Sequence, residues 1–262
     1  MTKDIWIGLL LPLVGTALGS GCVFFLRKGD IDSRVEKSLT GFAAGVMTQA
    51  LVGSLLLPAL DLSKESGSST YYLPVIIGFW IGIGFLLLLD TLVPHLHRGN
   101  DKAEGMESHL SKSTMMLLAV TLHNIPEGMA VGIVYAGVMS GNVILSASAA
   151  FTLALGIAIQ NFPEGAVVSI PLYSDGKSKS VAFWDGVLTG VVEPLGAILM
   201  IFFAQALSPT MPSLLSFAAG AMMYVVVEEL IPEMSSGEHS NIGVIMFSIG
   251  FTLMMVLDIV LG

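Results

Sequence analysis

Eight apolar segments account for most of this chain of 262 residues. Each has about the 20 residues that an α-helix needs to cross the hydrocarbon core of a bilayer. Charged residues make up 12% of the sequence, whereas soluble domains carry about 25%. The composition predicts an all-α integral membrane protein with eight transmembrane helices, formed as a single polytopic domain over residues 1–262. The segments lie at roughly 5–26, 40–62, 73–94, 113–137, 145–172, 183–206, 212–234 and 241–261.

Positively charged residues are divided unequally between the connections. Lys3 and Lys64 lie on one side, and the other Lys and Arg residues follow segments one, three and five. This second group is Arg27, Lys28, Arg34, Lys37, Arg98, Lys102, Lys112, Lys177 and Lys179. Cytoplasmic connections of membrane proteins are enriched in Lys and Arg, so the distribution predicts that both termini are extracytoplasmic. The longest connection, 95–112, is then a cytoplasmic loop.

Acidic residues outnumber basic residues by 20 to 11, and many of them lie inside the apolar segments. A charged side chain at the membrane centre costs about 2.5–3.5 kcal/mol on insertion scales, so it persists mainly where it faces a partner, a cavity or an ion. The charge pattern favours cation sites and argues against nucleic acid as a partner. The single cysteine, Cys22, excludes an internal disulfide and a zinc site built from several cysteines.

A six-residue motif occurs twice, as HNIPEG beginning at His123 and as QNFPEG beginning at Gln160. Residues four apart share one face of an α-helix, so His123 lies beside Glu127 and Gln160 lies beside Glu164. Consecutive transmembrane helices run antiparallel, and the two copies therefore enter the membrane from opposite sides. Inverted elements around a midplane site are typical of secondary transporters. The repeat predicts one shared site.

Two further features of the motif strengthen this prediction. Asn124 and Asn161 lie at the border of the same faces, where an amide oxygen could bind a cation or order the carboxylates. Pro126 and Pro163 each remove a backbone donor from their helix. A carbonyl freed in this way is tolerated at membrane depth only where protein, water or an ion satisfies it.

A third buried carboxylate, Glu193, precedes Pro194 in the sixth segment. Carboxylates, an imidazole and amide oxygens suit Zn²⁺, Fe²⁺, Mn²⁺ or Cd²⁺, whereas Cu⁺ prefers sulfur ligands. Carboxylates so close together need cations or protons to offset their repulsion. The metal ligands that we expect are His123, Asn124, Glu127, Gln160, Asn161, Glu164 and Glu193. We expect no catalytic residue and no resident cofactor.

A second group of ligand-type residues lies where the third segment meets the cytoplasmic loop. Asp90 is at the inner end of that segment, and His95 and His97 follow it. These groups could hold a metal ion transiently at an exit mouth, although histidines also occur in loops without binding metal. We expect the three residues to lie along the path by which a cation leaves the site.

The repeated motif, together with VVEP at residues 191–194, resembles the ZIP family of divalent-metal transporters and, within it, the bacterial GufA-like branch. The resemblance extends over all eight segments. It implies a first metal position formed by His123, Glu127, Gln160, Glu164 and Glu193, and a second formed by Asn124, Glu127, Asn161, Glu164 and Glu193. Some relatives carry aspartate where this chain has Asn161. A neutral amide there would weaken the second position or change its metal preference.

The same resemblance implies further residues along a transport pathway. Met47 is similar to a methionine that lines the family's transport site, although methionine is also a common core filler. Glu228 and Glu229 are similar to a pair that relays metal, and many relatives have His in place of Glu228. Asp61 and Asp258 are similar to acidic residues at the outer entrance. Both also suit interfacial positions at helix ends.

The predicted function is uptake of divalent transition-metal ions, zinc first, into the cytoplasm across the bacterial inner membrane. The resemblance implies an elevator-like movement of helices four and five and their neighbours against helices two and seven, commonly in a homodimer. A metal-dependent intramembrane hydrolase and a metal-gated channel or sensor are alternatives that use the same ligands. Two features argue against the hydrolase: H-E-x-x-H is absent, and no carboxylate remains as a general base.

Overall fold

The computed structural model describes residues 2–25, 32–96, 103–142, 144–206 and 210–262. Eight helices in these ranges are long and apolar enough to cross a membrane, and the predicted all-α membrane architecture is confirmed. They are α1 Lys3–Phe24, α2 Ser33–Lys64, α3 Tyr72–Leu92, α4 Lys112–Met139, α5 Ala147–Ser174, α6 Lys179–Phe203, α7 Met211–Ser235 and α8 Ile242–Leu261. Apart from an isolated backbone pairing of His95 with Glu104, the described residues contain no β-structure.

Serine side chains set the starts of the three helices that carry the predicted ligands. Ser111, Ser146 and Ser178 each accept a hydrogen bond from the backbone N–H three residues later. A hydroxyl at this position satisfies one of the N–H groups that the first turn of a helix leaves free. Because Ser178 provides such a cap, α6 begins at Lys179, four residues before the predicted start of the sixth segment.

The helices that carry the repeated motif lie at the centre of the bundle. In their most apolar 18-residue windows, 72% of the residues of α4 and 67% of those of α5 are buried, against 22% in α3 and 11% in α8. Large apolar side chains such as Trp80 of α3 and Ile259 of α8 are exposed. In a membrane protein these outer faces meet lipid, whereas most residues of α4 and α5 are enclosed by other helices.

Glycines bring helix backbones into contact in two pairs around the motif. A Cβ atom added to Gly15 of α1 would lie 2.1 Å from the carbonyl oxygen of Ala158 on α5, and one added to Gly132 of α4 would lie 2.3 Å from that of Ala197 on α6. Small residues permit this close approach of membrane helices. The pairs α1–α5 and α4–α6 therefore pack backbone against backbone.

The remaining four helices form two pairs of the same kind. A Cβ added to Gly45 of α2 would lie 2.0 Å from the carbonyl oxygen of Phe247 on α8. One added to Gly82 of α3 would lie 2.0 Å from that of Phe217 on α7. The bundle thus contains four closely packed helix pairs, which are α1–α5, α4–α6, α2–α8 and α3–α7.

Three helices of the bundle are irregular near their middles. A π-helical segment, Ala50–Leu56, interrupts α2, and another, Val226–Leu230, interrupts α7. The regular part of α6 stops at Gly190 and resumes at Val192, just before the predicted ligand Glu193. The α4 and α5 helices, in contrast, continue through Pro126 and Pro163 without interruption. The backbone breaks therefore lie around the motif helices and not within them.

Candidate metal transport site

The predicted ligands come together where α4, α5 and α6 meet. Asn124, Glu127, Gln160, Asn161 and Glu193 are all 0% exposed. His123 is 9% exposed, and Glu164 is partly exposed because both line a cavity. Acidic side chains are almost never fully buried unless they are paired. Burial of Glu127 and Glu193 therefore costs free energy. The structure brings together side chains that are 70 residues apart in the sequence.

Hydrogen bonds between side chains join the three helices at this point. Gln160 Nε2 donates to Glu127 Oε1 at 2.6 Å, which links α5 to α4. Asn161 Nδ2 donates to Glu193 Oε1 at 3.0 Å, which links α5 to α6. Asn124 Nδ2 donates to the carbonyl oxygen of Thr189 at 3.0 Å, which links α4 to α6. Each amide N–H₂ group of the motif is therefore engaged in a hydrogen bond to a neighbouring helix.

The oxygen atoms left over from this network are the most informative feature of the site. Within the described ranges, six buried side-chain polar atoms have no hydrogen-bond partner, and five of them belong to predicted ligands. The five are Asn124 Oδ1, Glu127 Oε2, Gln160 Oε1, Asn161 Oδ1 and Glu193 Oε2. A buried acceptor without a partner costs about 1–3 kcal/mol, and a cation satisfies several acceptors at once. Together with the imidazole of His123, these oxygen atoms form a ligand set that suits a divalent metal ion.

The imidazole of the site contacts a neighbouring helix. His123 Nε2 of α4 lies within hydrogen-bonding distance of Glu229 Oε1 of α7. Glu229 belongs to the π-helical segment of α7, and π-segments are frequent at functional sites. This contact connects the predicted metal ligands with the predicted relay pair, Glu228 and Glu229.

A cavity of about 480 Å³ extends from the site to one end of the bundle. His123 and Glu164 line its inner end, and Glu228, Glu229 and Glu233 line its wall on the α7 side. Leu96 and Glu104 also line it, and both belong to the connection between α3 and α4. The cavity walls come from the first halves of α2 and α4 and from the last halves of α5 and α7. Its lining combines apolar side chains with His123 and five carboxylates, Glu104, Glu164, Glu228, Glu229 and Glu233.

Two carboxylates of this cavity were missed by the sequence analysis. Glu233 lies four residues after Glu229, so the two share a face of α7 and both line the cavity. The spacing in EELIPE is the signal that would have identified it. Glu104 lies in the loop before α4, and nothing in its sequence neighbourhood distinguishes it from the acidic residues around it.

A second cluster of ligand-type side chains forms around His95, which is fully buried. One ligand atom from each of Asp90, His95 and Glu104 lies within 4.8 Å of the others. His95 Nε2 is 3.0 Å from Asp90 Oδ1, and His95 Nδ1 is 2.8 Å from the carbonyl oxygen of Val93. Backbone hydrogen bonds pair His95 with Glu104. His97, the third residue predicted near this exit, lies outside the described residues.

The other pathway residues lie away from this cavity lining. Met47 is 0% exposed and belongs to the main hydrophobic core. Asp258 of α8 accepts hydrogen bonds from Ser54 Oγ at 2.9 Å and from Gln49 Nε2 at 3.3 Å, both on α2. Asp61 is exposed near the end of α2. Their assignments to a pathway remain predictions.

Comparisons with known proteins agree with this arrangement. Residues 93–258 match the family model described as ZIP zinc transporter. The chain is 34% identical to the zinc transporter GufA of Myxococcus xanthus, over 95% of this chain and 96% of that protein. It is 33% identical to the zinc transporter ZIPB of Bordetella bronchiseptica, over 98% and 81%. It is 32% identical to the human zinc transporter ZIP11, over 94% of each chain. The chain therefore belongs to the ZIP zinc transporter family.

Proposed function

We propose that this protein carries divalent transition-metal ions, zinc first, through the bacterial inner membrane into the cytoplasm. The observation that carries the proposal is the set of five unpartnered, buried oxygen atoms where α4, α5 and α6 meet. Three relatives that cover nearly the whole chain are named zinc transporters. The ion is the cargo of the protein, and His123, Glu164 and the five oxygen-bearing residues are its proposed ligands.

The side of the membrane on which the cavity opens can be inferred from the charge of the connections. The cavity opens at the end of the bundle where α2 and α4 begin and where α5 and α7 end. The Lys- and Arg-rich connections lie at this end, so the positive-inside rule assigns it to the cytoplasm and both termini to the outside. The site is then connected to the cytoplasm in this arrangement. Glu229, Glu233 and the cluster of Asp90, His95 and Glu104 provide successive ligands along the exit.

The ligand set supports a borderline cation in preference to a soft one. Zn²⁺, Fe²⁺, Mn²⁺ and Cd²⁺ accept mixed imidazole and carboxylate ligands. Asn161 uses its amide nitrogen to donate to Glu193, so it provides at most one neutral oxygen to the second metal position. We propose that the first position, formed by His123, Glu127, Gln160, Glu164 and Glu193, binds the transported ion more strongly.

The pairing of helices supports an elevator-like movement. α1, α4, α5 and α6 are joined by backbone contacts at glycines and by the side-chain network of the site. We propose that this group moves as one body past α2, α3, α7 and α8, within a single membrane domain. The contact of His123 with Glu229 crosses the boundary between the two groups. We further propose that two copies associate as a homodimer, and chemical crosslinking in membranes tests this.

A metal-dependent hydrolase and a metal-gated channel or sensor use the same ligand types. The relatives named above are transporters, which favours a carrier over an enzyme. Glu127, Glu164 and Glu193 are proposed ligands, and Glu229 contacts the imidazole of His123, so none of these four carboxylates is a base separate from the ligands. A carrier differs from a channel in that its flux saturates with metal concentration.

The deciding experiment measures Zn²⁺ entry into proteoliposomes that contain a fluorescent zinc reporter. Saturable flux that is lost in Glu164→Ala supports the carrier. The matched control is Glu238→Gln, because Glu238 is an exposed carboxylate outside the cavity, and this variant should transport as the wild type does. Zinc binding without flux, or flux that Glu164→Ala leaves unchanged, would contradict the proposal.

A further inference from the structure

α1 contributes a side chain to the site although its sequence carries no ligand motif. Thr16 is 1% exposed, and its Oγ1 lies 3.1 Å from Glu193 Oε1. Among the described residues, the only other acceptor for this hydroxyl is the carbonyl oxygen of Pro12 at 3.4 Å. A hydroxyl has a single proton to donate, and a bond to a carboxylate is roughly twice as strong as one to a neutral oxygen. The shorter contact with Glu193 therefore takes the proton.

The two oxygen atoms of Glu193 have different environments. Oε1 accepts one hydrogen bond from Thr16 and another from Asn161 Nδ2 at 3.0 Å. Oε2 is buried and accepts none. Two donors on one oxygen fix the rotation of the carboxylate about its last torsion angle, which is otherwise broad. The second oxygen is then held in one position, buried and without a hydrogen-bond partner among the described residues.

The backbone around Thr16 leaves this side chain little freedom to move. A Cβ added to Gly165 of α5 would lie 2.3 Å from the carbonyl oxygen of Thr16. A Cβ added to Gly190 of α6 would lie 3.0 Å from Thr16 Oγ1 and 3.0 Å from Glu193 Oε1. Glycine at position 165 allows α1 to approach α5 closely, and glycine at position 190 leaves room for the hydrogen bond between α1 and α6. Contacts among α1, α5 and α6 therefore fix the position of the Thr16 hydroxyl.

We propose that Thr16 is a positioning residue for metal transport, which holds Glu193 so that Oε2 faces the transported cation. This rests on the proposed function, since it concerns how the same site binds its cargo. Thr16 does not contact the ion and acts only through Glu193. Removal of the hydroxyl frees the carboxylate to rotate, and the site then binds the ion with a carboxylate that is no longer pre-oriented.

The test compares three variants by Zn²⁺ titration of the purified protein and by flux in proteoliposomes. Thr16→Val keeps the shape of the side chain and removes the donor, and we expect roughly tenfold weaker binding and a matching rise in the half-saturating Zn²⁺ concentration. Thr16→Ser restores the donor and should recover wild-type values. Ser20→Ala is the matched control, because Ser20 is buried one turn away on the same face of α1 and contacts the backbone of Gly165.

A double-mutant cycle separates positioning from packing. In a Glu193→Gln background, Thr16→Val should cause no further loss of Zn²⁺ affinity, because the carboxylate on which it acts is already absent. A purely structural role of Thr16 would instead lower thermal stability. In that case Thr16→Val would leave the half-saturating Zn²⁺ concentration unchanged, or it would lower Zn²⁺ affinity equally with and without Glu193→Gln. Either of the last two results overturns the proposal for Thr16. A wild-type protein that neither binds nor transports Zn²⁺ would refute the proposed function itself.

Discussion

Gln160 on α5 donates a 2.6 Å hydrogen bond to Glu127 on α4, and so the two copies of the repeated motif contact each other directly. The amide nitrogen of Gln160 is used in this bond, while its Oε1 and the Oε2 of Glu127 remain without partners. One atom of each side chain therefore holds the helices together, and the other is available to an ion. Asn161 and Glu193 show the same arrangement: Asn161 Nδ2 donates to Glu193 Oε1, and Asn161 Oδ1 and Glu193 Oε2 have no partner among the described residues.

Glu127→Gln is expected to abolish Zn²⁺ flux while the protein remains folded. The glutamine still accepts the hydrogen bond of Gln160, but it removes one of three buried carboxylates. Without metal the variant should be more stable than the wild type by about 1–3 kcal/mol, because a buried charge has been removed. Flux and thermal unfolding with and without Zn²⁺ measure both effects. Zn²⁺ should raise the unfolding temperature of the wild type only. Wild-type flux in Glu127→Gln would show that this carboxylate is not a ligand.

Asn161→Asp is expected to change metal selectivity more than it changes folding. The substitution replaces a donor to Glu193 Oε1 with a fourth carboxylate, which repels Glu193 unless a cation lies between them. The metal-free variant should lose about 1–3 kcal/mol of stability and regain it when metal binds. Competition of Zn²⁺ uptake by Fe²⁺, Mn²⁺ and Cd²⁺ provides the readout. An unchanged competition profile would count against a ligand role for Asn161.

Glu233→Gln is expected to slow the exit of the ion without weakening the site. Glu233 lines the cavity one turn beyond Glu229 and is not one of the proposed ligands at the meeting point of α4, α5 and α6. The maximal rate of Zn²⁺ flux should fall severalfold, whereas the affinity measured by titration stays close to that of the wild type. Glu238→Gln, outside the cavity, is the control. Equal rates for the two variants would exclude Glu233 from the pathway.

Gly132→Ala is expected to destabilise the protein by about 1–3 kcal/mol, because the new methyl group would overpack the contact with the Ala197 backbone. Gly84→Ala on α3 is the matched control, since a Cβ there meets no atom within 4 Å. That variant should be unchanged or slightly more stable, because alanine is a better helix former than glycine by up to about 1 kcal/mol. Thermal unfolding in detergent compares the two. Equal stabilities would refute the close pairing of α4 with α6.

The eight spans, the membrane class and the face that His123 shares with Glu127 follow from the sequence. Apolar length and the spacing of His123 and Glu127 are local properties, and a helix converts them directly into a span and a face. The family resemblance likewise rests on contiguous strings of residues. These features required no knowledge of how distant parts of the chain pack.

Only the tertiary structure decided which atoms the ion can use. Asn161 can be a donor or an acceptor, and its identity in the sequence does not reveal that its nitrogen is taken by Glu193. Thr16, 177 residues before Glu193 in the chain, carries no signal at all, because its role arises from glycine contacts between α1, α5 and α6. The cavity that includes Glu104 and Glu233 depends equally on packing. A sequence specifies ligand types, and the fold decides which of their polar atoms make hydrogen bonds and which remain without a partner, because this depends on what packs against each atom.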